Sequence, residues 1–278
     1  MTVGFTNETN NLMVVDGLNL AFRWKWNKAS NFAEEYLKTI RSLSASYDAS
    51  RVIVLSDWGQ STYRLELDPQ YKANRKELRE TQTEEEAQDF QDFLDEFNKA
   101  LTLCDEDGFD VIKIHGVEAD DIAAYISINF DKDQFDHVWL ISSDGDWDTL
   151  VNNNVSRFSY VTRKEYTLEN WEEEHGCNDP TEFVSIKALE GDKGDNIPGV
   201  EGVGPKRAQD LVAKYGSVFD LCEYLPLSGT AKYIKNLNES KDRIMLNIDL
   251  VDLVSCHEDA IGSENIEKIN QQIGEVLS

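Results

Sequence analysis

Leu12-Met-Val-Val-Asp16 is a short apolar run that stops on an acid, and the fold turns on how often that pattern returns. Val52-Ile-Val-Leu55 is followed by Ser56 and Asp57. Val111-Ile-Lys-Ile114 leads through His-Gly-Val to Glu118, Asp120 and Asp121. Val138-Trp-Leu-Ile141 leads through two serines to Asp144, Asp146 and Asp148, and Arg157–Val161 is a fifth strand candidate. Helical patterns lie between or beside these runs at Ala33–Ser46, Glu84–Leu103 and Ala119–Asn129. Strand, helix, strand at such lengths requires parallel crossovers, so the expectation is an α/β fold with a largely parallel central sheet flanked by helices.

The second half changes character. Thr181–Glu190, Lys206–Tyr215, Val218–Leu225 and Lys241–Leu253 read as helices separated by Gly and Pro. This divides the chain into an α/β core over 1–180 and a helical region over 181–278 packed on it.

In a parallel sheet the acids that follow each strand share one edge, where open α/β folds place their ligands. One such Asp alone is ordinarily a cap or a turn residue. Four strands all ending in acid need another reason, because unpaired carboxylates repel and raise one another's pKa. Hard divalent cations with oxygen ligands relieve that repulsion, Mg²⁺ best and Mn²⁺ as a substitute. Asp144-Gly-Asp-Trp-Asp148 begins like an EF-hand loop but has Thr149 and Val155 where that loop needs Gly and Glu. A haloacid-dehalogenase-type phosphatase needs a second Asp where this chain has Leu18. The chain has neither GxGxxG nor a Walker sequence.

The segment from Glu190 to Ala208, EGDKGDNIPGVEGVGPKRA, is the most specific. Asp192 and Asp195 are spaced to face one way on a helical turn. Gly-Val-Glu-Gly-Val-Gly then runs into a helix opening with Pro205, Lys206 and Arg207. Glycines let backbone approach a phosphate, and a helix N-terminus offers it free N–H groups. This is the logic of a helix–hairpin–helix that clamps DNA backbone without reading bases. A second basic run, Arg64, Lys72, Arg75, Lys76 and Arg79, carries Tyr63 and Tyr71, which suit stacking on bases. The acidic run after it, from Glu84 to Glu96, reads as a solvated helix face.

The net charge of −26 opposes bulk electrostatic binding of nucleic acid, unless acids bind metal and bases cluster locally. Four scattered cysteines form no CxxC pair, which argues against zinc and for reduced thiols. No stretch approaches the ~20 apolar residues of a membrane span. Met1–Asn11 is polar and unlike a signal peptide, which points to the cytoplasm.

Taken together, MVVDG, SDWGQS, YKANR, GVEADDIAAY, SSDGDWD and GDKGDNIPGVEGVGPKRA resemble the 5′-nuclease superfamily of flap endonucleases, most of all the stand-alone bacteriophage 5′-exonucleases. The likeness runs from about Leu12 past Tyr215. It implies a helical arch, here at about 60–103, over two clustered divalent ions, and structure-specific hydrolysis of DNA at 5′ ends or flaps in replication or repair. Asp16, Asp57, Glu118, Asp120, Asp121, Asp144 and Asp146 would then serve the metals, with Asp192 and Asp195 on the second-metal side. Lys72 and Arg75 match residues that contact the scissile phosphate. Arg64, Tyr71, Lys206 and Arg207 would bind DNA, and backbone near Val200 and Val203 would hold K⁺. The resemblance also implies a monomer in the host cytoplasm. One departure is Trp58-Gly59-Gln60, where similar phage enzymes often carry lysines. The competing readings are a non-catalytic DNA junction binder and a metal-dependent phosphatase. Filled carboxylate positions oppose the first; the hairpin and YKANR oppose the second.

Overall fold

The computed structural model describes residues 9–27 and 29–278. Most of the polar N-terminal stretch weighed against a signal peptide therefore lies outside the described residues. Strands β1 (Asn11–Asp16), β2 (Ala49–Leu55), β3 (Asp110–Ile112), β4 (His137–Ile141), β5 (Val155–Ser159) and β6 (Lys164–Tyr166) form one sheet in the order β3-β2-β1-β4-β5-β6. Its first five strands pair in parallel, and β6 joins β5 antiparallel. The antiparallel β6 was not read from the sequence, because three residues carry no periodicity.

β1 shows why both faces are covered. Leu12 and Val14 point into a core with α6 (Ala119–Asn129), while Met13 and Val15 point into one with α1 (Gly17–Trp26), α2 (Ala33–Ser46) and α5 (Glu84–Glu106). A continuous apolar run is what a strand buried on both faces requires. Gly17 follows because a Cβ there would stand 2.6 Å from the Leu55 carbonyl oxygen, so the chain turns into α1 hard against β2.

The strand order places the crevice. From β1 the chain builds outward through β2 to β3, then returns to β4 on the other side of β1. Loops leaving β1 and β4 diverge at this reversal, the position where such sheets bind ligands.

Between β2 and β3 lie α3 (Thr62–Leu67), α4 (Ala73–Glu80) and α5, which occupy the region expected as an arch. Asn74 at the base of α4 donates to the Lys193 carbonyl at 2.9 Å, while Phe93 of α5 stacks on Phe32. The stretch thus links the two sides of the crevice. After α7 (Trp171–His175), α8 (Pro180–Glu190) runs into a two-residue hairpin of β7 (Gly191–Asp192) and β8 (Ile197–Pro198), and then α9 (Pro205–Tyr215). Gly191 and Gly199 are forced: a Cβ on Gly199 would come within 1.9 Å of the Glu190 carbonyl, and Gly191 has φ +75°.

Helices α10 (Val218–Tyr224), α11 (Lys232–Glu239) and α12 (Lys241–Val251) complete a helical core of their own. Then α13 (Leu253–Ile261) and α14 (Ser263–Ile273) return to the sheet, where Leu253, Ile261, Ile269 and Ile273 join the α6 core. The C-terminal region is therefore shared between both cores. No helix among the described residues is long and apolar enough to cross a membrane.

Candidate active site

Asp16 ends β1 and caps α1, accepting from the Asn19 amide at 3.2 Å and from Ser142 Oγ at 2.7 Å. Ser142 directly follows β4, so this bond spans the topological switch. Asp57, two residues past β2, accepts from the Ala119 amide at 2.7 Å. Asp120 lies in the first turn of α6 and accepts from Trp147 Nε1 at 2.6 Å. Asp144 caps the 3₁₀ turn Gly145–Leu150 and accepts from the Asp146 amide at 3.0 Å.

These acids crowd a partly dry crevice, and their titration shows it. Burial, then the charges of Asp57 and Asp144, push Asp16 from 3.8 up to about 7. Burial pushes Asp120 well above the usual carboxylate range, reinforced by Asp144, Asp57 and Glu118. Asp57 and Asp144 are raised as well, chiefly by desolvation from the groups packed around their carboxyls and then by the charges of Glu118 and Asp146 respectively, although both residues keep exposed surface.

A second group is held by cations. Glu118 caps α6 without a side-chain bond to it and instead accepts from Lys72 Nζ at 2.7 Å and Tyr71 Oη at 3.0 Å. Lys72 also stands 3.4 Å from Asp195, which pairs with Arg75 as well. Although burial works to raise the Asp195 carboxyl, Lys72 and Arg75 hold it below its ordinary value. Lys72 sits at φ +54° just before α4, and its amide donates to the Asp195 carbonyl at 2.8 Å, which fixes where its side chain begins. On the opposite wall Lys187 pairs with Asp146 and lies 3.8 Å from Asp192.

The geometry corrects several expectations. Arg64 is not on a DNA-facing surface: it is 2% exposed, its fork grips both oxygens of Asp121 at 2.7 Å, and it also donates to Glu118 and the Leu250 carbonyl. A guanidinium so engaged has no reach to a phosphate. Asp121, 0% exposed with both oxygens taken by that fork, is not placed to ligate a metal. Tyr71 is buried against Glu118 and Asp195, so it offers no free face to a base, while the partly buried Tyr63 bonds Cys256 through its hydroxyl. Asp192 and Asp195 do not share a helical turn. The Asp192 side chain accepts from the Gly194 and Asp195 amides at 2.7 and 3.2 Å, folding the chain into a tight turn between β7 and β8. Asp148 is buried on the fork of Arg157.

Among the described residues no three His, Cys, Asp or Glu side chains form a ready metal cage. Ammonium and guanidinium groups stand between the acids instead. The donor set is nonetheless all oxygen, which suits a hard divalent cation.

Sequence reasoning missed Lys187, Ser142, Trp147 and Arg157. Lys187 had a readable signal: it is the single charge in the apolar stretch Phe183–Leu189, and such a charge needs a partner. Arg157 was read only as a strand residue, but its NH1 donates to the Ser142 carbonyl at 2.8 Å and so braces the serine that holds Asp16.

An acid-lined crevice at the switch point of a parallel sheet, flanked by a helix–hairpin–helix, defines a class of nuclease. The chain matches the N-terminal resolvase-like domain of 5′-3′ exonucleases over residues 11–176 and their C-terminal SAM fold over 178–272, and it belongs to that family. It is 47% identical over 270 residues to the flap endonuclease of Escherichia phage T5, covering 96% of this chain and 92% of that protein. A crystal structure of the T5 flap endonuclease with DNA and metal ions superposes with a TM-score of 0.91, covering 96% of this chain and 98% of that one. The T5 5′-exonuclease with bound zinc gives the same TM-score of 0.91. DNA polymerase I of Streptococcus pneumoniae is 28% identical over 272 residues, and the chain spans 30% of its length.

Proposed function

We propose that the chain is a divalent-metal-dependent, structure-specific 5′-nuclease that hydrolyses DNA phosphodiesters at 5′ ends and flap junctions. The observation that carries this reading is the crowding of the acids. Asp16, raised to about 7, stands with Asp57, Asp120 and Asp144, and a DNA phosphate alone would add to their repulsion. Asp16, Asp57, Glu118, Asp120, Asp144 and Asp146, with Asp192 and Asp195 across the crevice, are the proposed ligands of Mg²⁺, directly or through water. Bound there, such ions supply Lewis-acid stabilisation for an in-line displacement at phosphorus.

The chain's own residues supply the rest. Lys72 has three N–H donors; two face Glu118 and Asp195, which leaves one for a phosphate oxygen. Arg75 spends part of its fork on Asp195 and the Gly194 carbonyl, and its side chain is half exposed. Both are proposed to stabilise charge as it grows on the scissile phosphate. Lys206 and Arg207 open α9 and are proposed to grip duplex backbone with their side chains and the Lys206 amide, since Pro205 has no N–H and the Arg207 amide already donates to the Gly204 carbonyl at 2.9 Å. The hairpin carbonyls at Val200 and Val203 are proposed to hold K⁺; both side chains are buried, which turns that stretch's polarity into its backbone.

The test is a labelled 5′-flap duplex incubated with Mg²⁺, Mn²⁺, Ca²⁺ or chelator. Cleavage is expected with Mg²⁺ and Mn²⁺, none in chelator, and little with Ca²⁺, whose looser coordination suits binding better than hydrolysis. Binding without cleavage in Mg²⁺ would make the chain a junction binder instead.

A further inference from the structure

We propose that Trp58 is a stacking platform for a nucleobase at the mouth of the carboxylate crevice, a subsite that rests on the nuclease reading above. Trp24, Trp147 and Trp171 are buried, but Trp58 is 52% exposed. A single exposed hydrophobic side chain is ordinary, and Leu78, Val161 and Tyr224 are more exposed still; what marks Trp58 is that its ring is braced and its neighbour in the chain is Asp57.

The ring is held, not loose. Beyond the ends of β2 and β3 the two chains stay paired: the Ser56 amide donates to the Ile112 carbonyl at 3.0 Å, and the Gly116 amide donates to the Trp58 carbonyl at 2.8 Å. Trp58 and His115 form a parallel bridge across this extension. The His115 ring then meets the indole edge to face, centroids 5.3 Å apart at 89°. Gly59, at φ +91°, turns the chain away directly behind it. Asp57, one peptide away, is pinned to the Ala119 amide at 2.7 Å. Platform and proposed metal ligand are thus fixed on one short, braced segment.

The chemistry fits the charge of the molecule. A strand nearing the crevice meets acids on a chain of net charge −26, and the loop that presents Trp58 carries no cation from Ser56 to Tyr63. Stacking on an indole face is indifferent to that repulsion and tolerates every base. The single-stranded or unpaired nucleotide beside the scissile phosphate is the one whose face is open to it.

The experiment is an anisotropy titration of a fluorescent 5′-flap duplex in Ca²⁺, with a single abasic site placed in turn at each nucleotide spanning the junction. Wild type is expected to lose about tenfold in affinity at one position, the size of one stacked base. Trp58→Ala should lose about as much on the intact flap and nothing further at that abasic position. Trp58→Phe should keep most of the affinity. The salt dependence of Trp58→Ala should match wild type, because the ring neutralises no phosphate. The proposal is overturned if Trp58→Ala binds the intact flap like wild type, if the two losses simply add, or if wild type shows no abasic penalty anywhere. Cleavage by wild type in Mg²⁺ is scored apart: stacking without cleavage sinks the nuclease reading, and cleavage with additive losses sinks the platform.

Discussion

Lys72 and Arg64 come from the same basic run and both are buried, but Arg64 is committed to Asp121, Glu118 and the Leu250 carbonyl whereas Lys72 meets two carboxylates. Lys72 is proposed to keep its third N–H for the scissile phosphate, and interactions strongest in the transition state act on kcat more than on binding. Lys72→Ala is therefore expected to slow single-turnover flap cleavage by at least about a hundredfold while affinity changes severalfold. Lys76→Ala, at an exposed position, is the control and should do far less. Cleavage by Lys72→Ala within about threefold of wild type, far short of the loss expected for such a donor, would reduce the lysine to scaffolding. Arg64 and Asp121 form a fully buried pair, and removing one partner strands the other's charge. Asp121→Ala should cost about 3–5 kcal/mol of stability in a denaturant titration. A variant as stable as wild type that had instead lost its Mg²⁺ requirement would return Asp121 to the metal site.

At the scale of elements, α9 is the proposed backbone clamp. Its first turn is exposed at Lys206 and Arg207, but Arg207 is partly committed, since it bonds the Gly202 carbonyl and lies 4.2 Å from the Tyr233 ring. Replacing both by alanine should weaken duplex binding and flatten its salt dependence, with turnover at saturating DNA much less affected. An unchanged slope of affinity against salt concentration would place the clamp elsewhere. The strands and long helices were legible in the sequence because a doubly buried strand writes a continuous apolar run and a 23-residue amphipathic helix writes a period into the chain. Short elements were not: β6, α3 and α4 are set by what they pack against. The acids of the crevice were legible as strand-end residues. Their partners were not, because spacing along the chain says which carboxylates share an edge but not which one an arginine will seal. That is how Arg64 and Asp121, alike in sequence to their neighbours, fell out of the site, and how Lys187, 41 residues from the Asp146 it pairs with, stayed unseen.

For the whole molecule, the acidity sets a pH dependence that metal should reverse. Asp16 ionises near 3.8 when the chain is unfolded but only near 7 in the metal-free fold. Its protonated form therefore favours the folded state below about pH 4, and that advantage is lost as pH rises toward 7. A shift of that size corresponds to a few kcal/mol, on the order of 4. Asp195 runs the other way, since its lowered pKa stabilises the fold at neutral pH and is lost on acidification. The two trends are separated by comparing variants, not by one melting curve. Asn keeps the shape and capping ability of Asp16 and removes the charge. In chelator, Asp16→Asn is expected to melt with wild type near pH 4 and progressively above it toward pH 8. Mg²⁺ should then stabilise wild type, by about 2.7 kcal/mol at a hundredfold excess over Kd and read as a higher melting point, and Asp16→Asn much less. If the gap between the two proteins in chelator stays constant across this pH range, Asp16 is ionised without metal, and the strain that calls for a cation lies with Asp57, Asp120 and Asp144 instead.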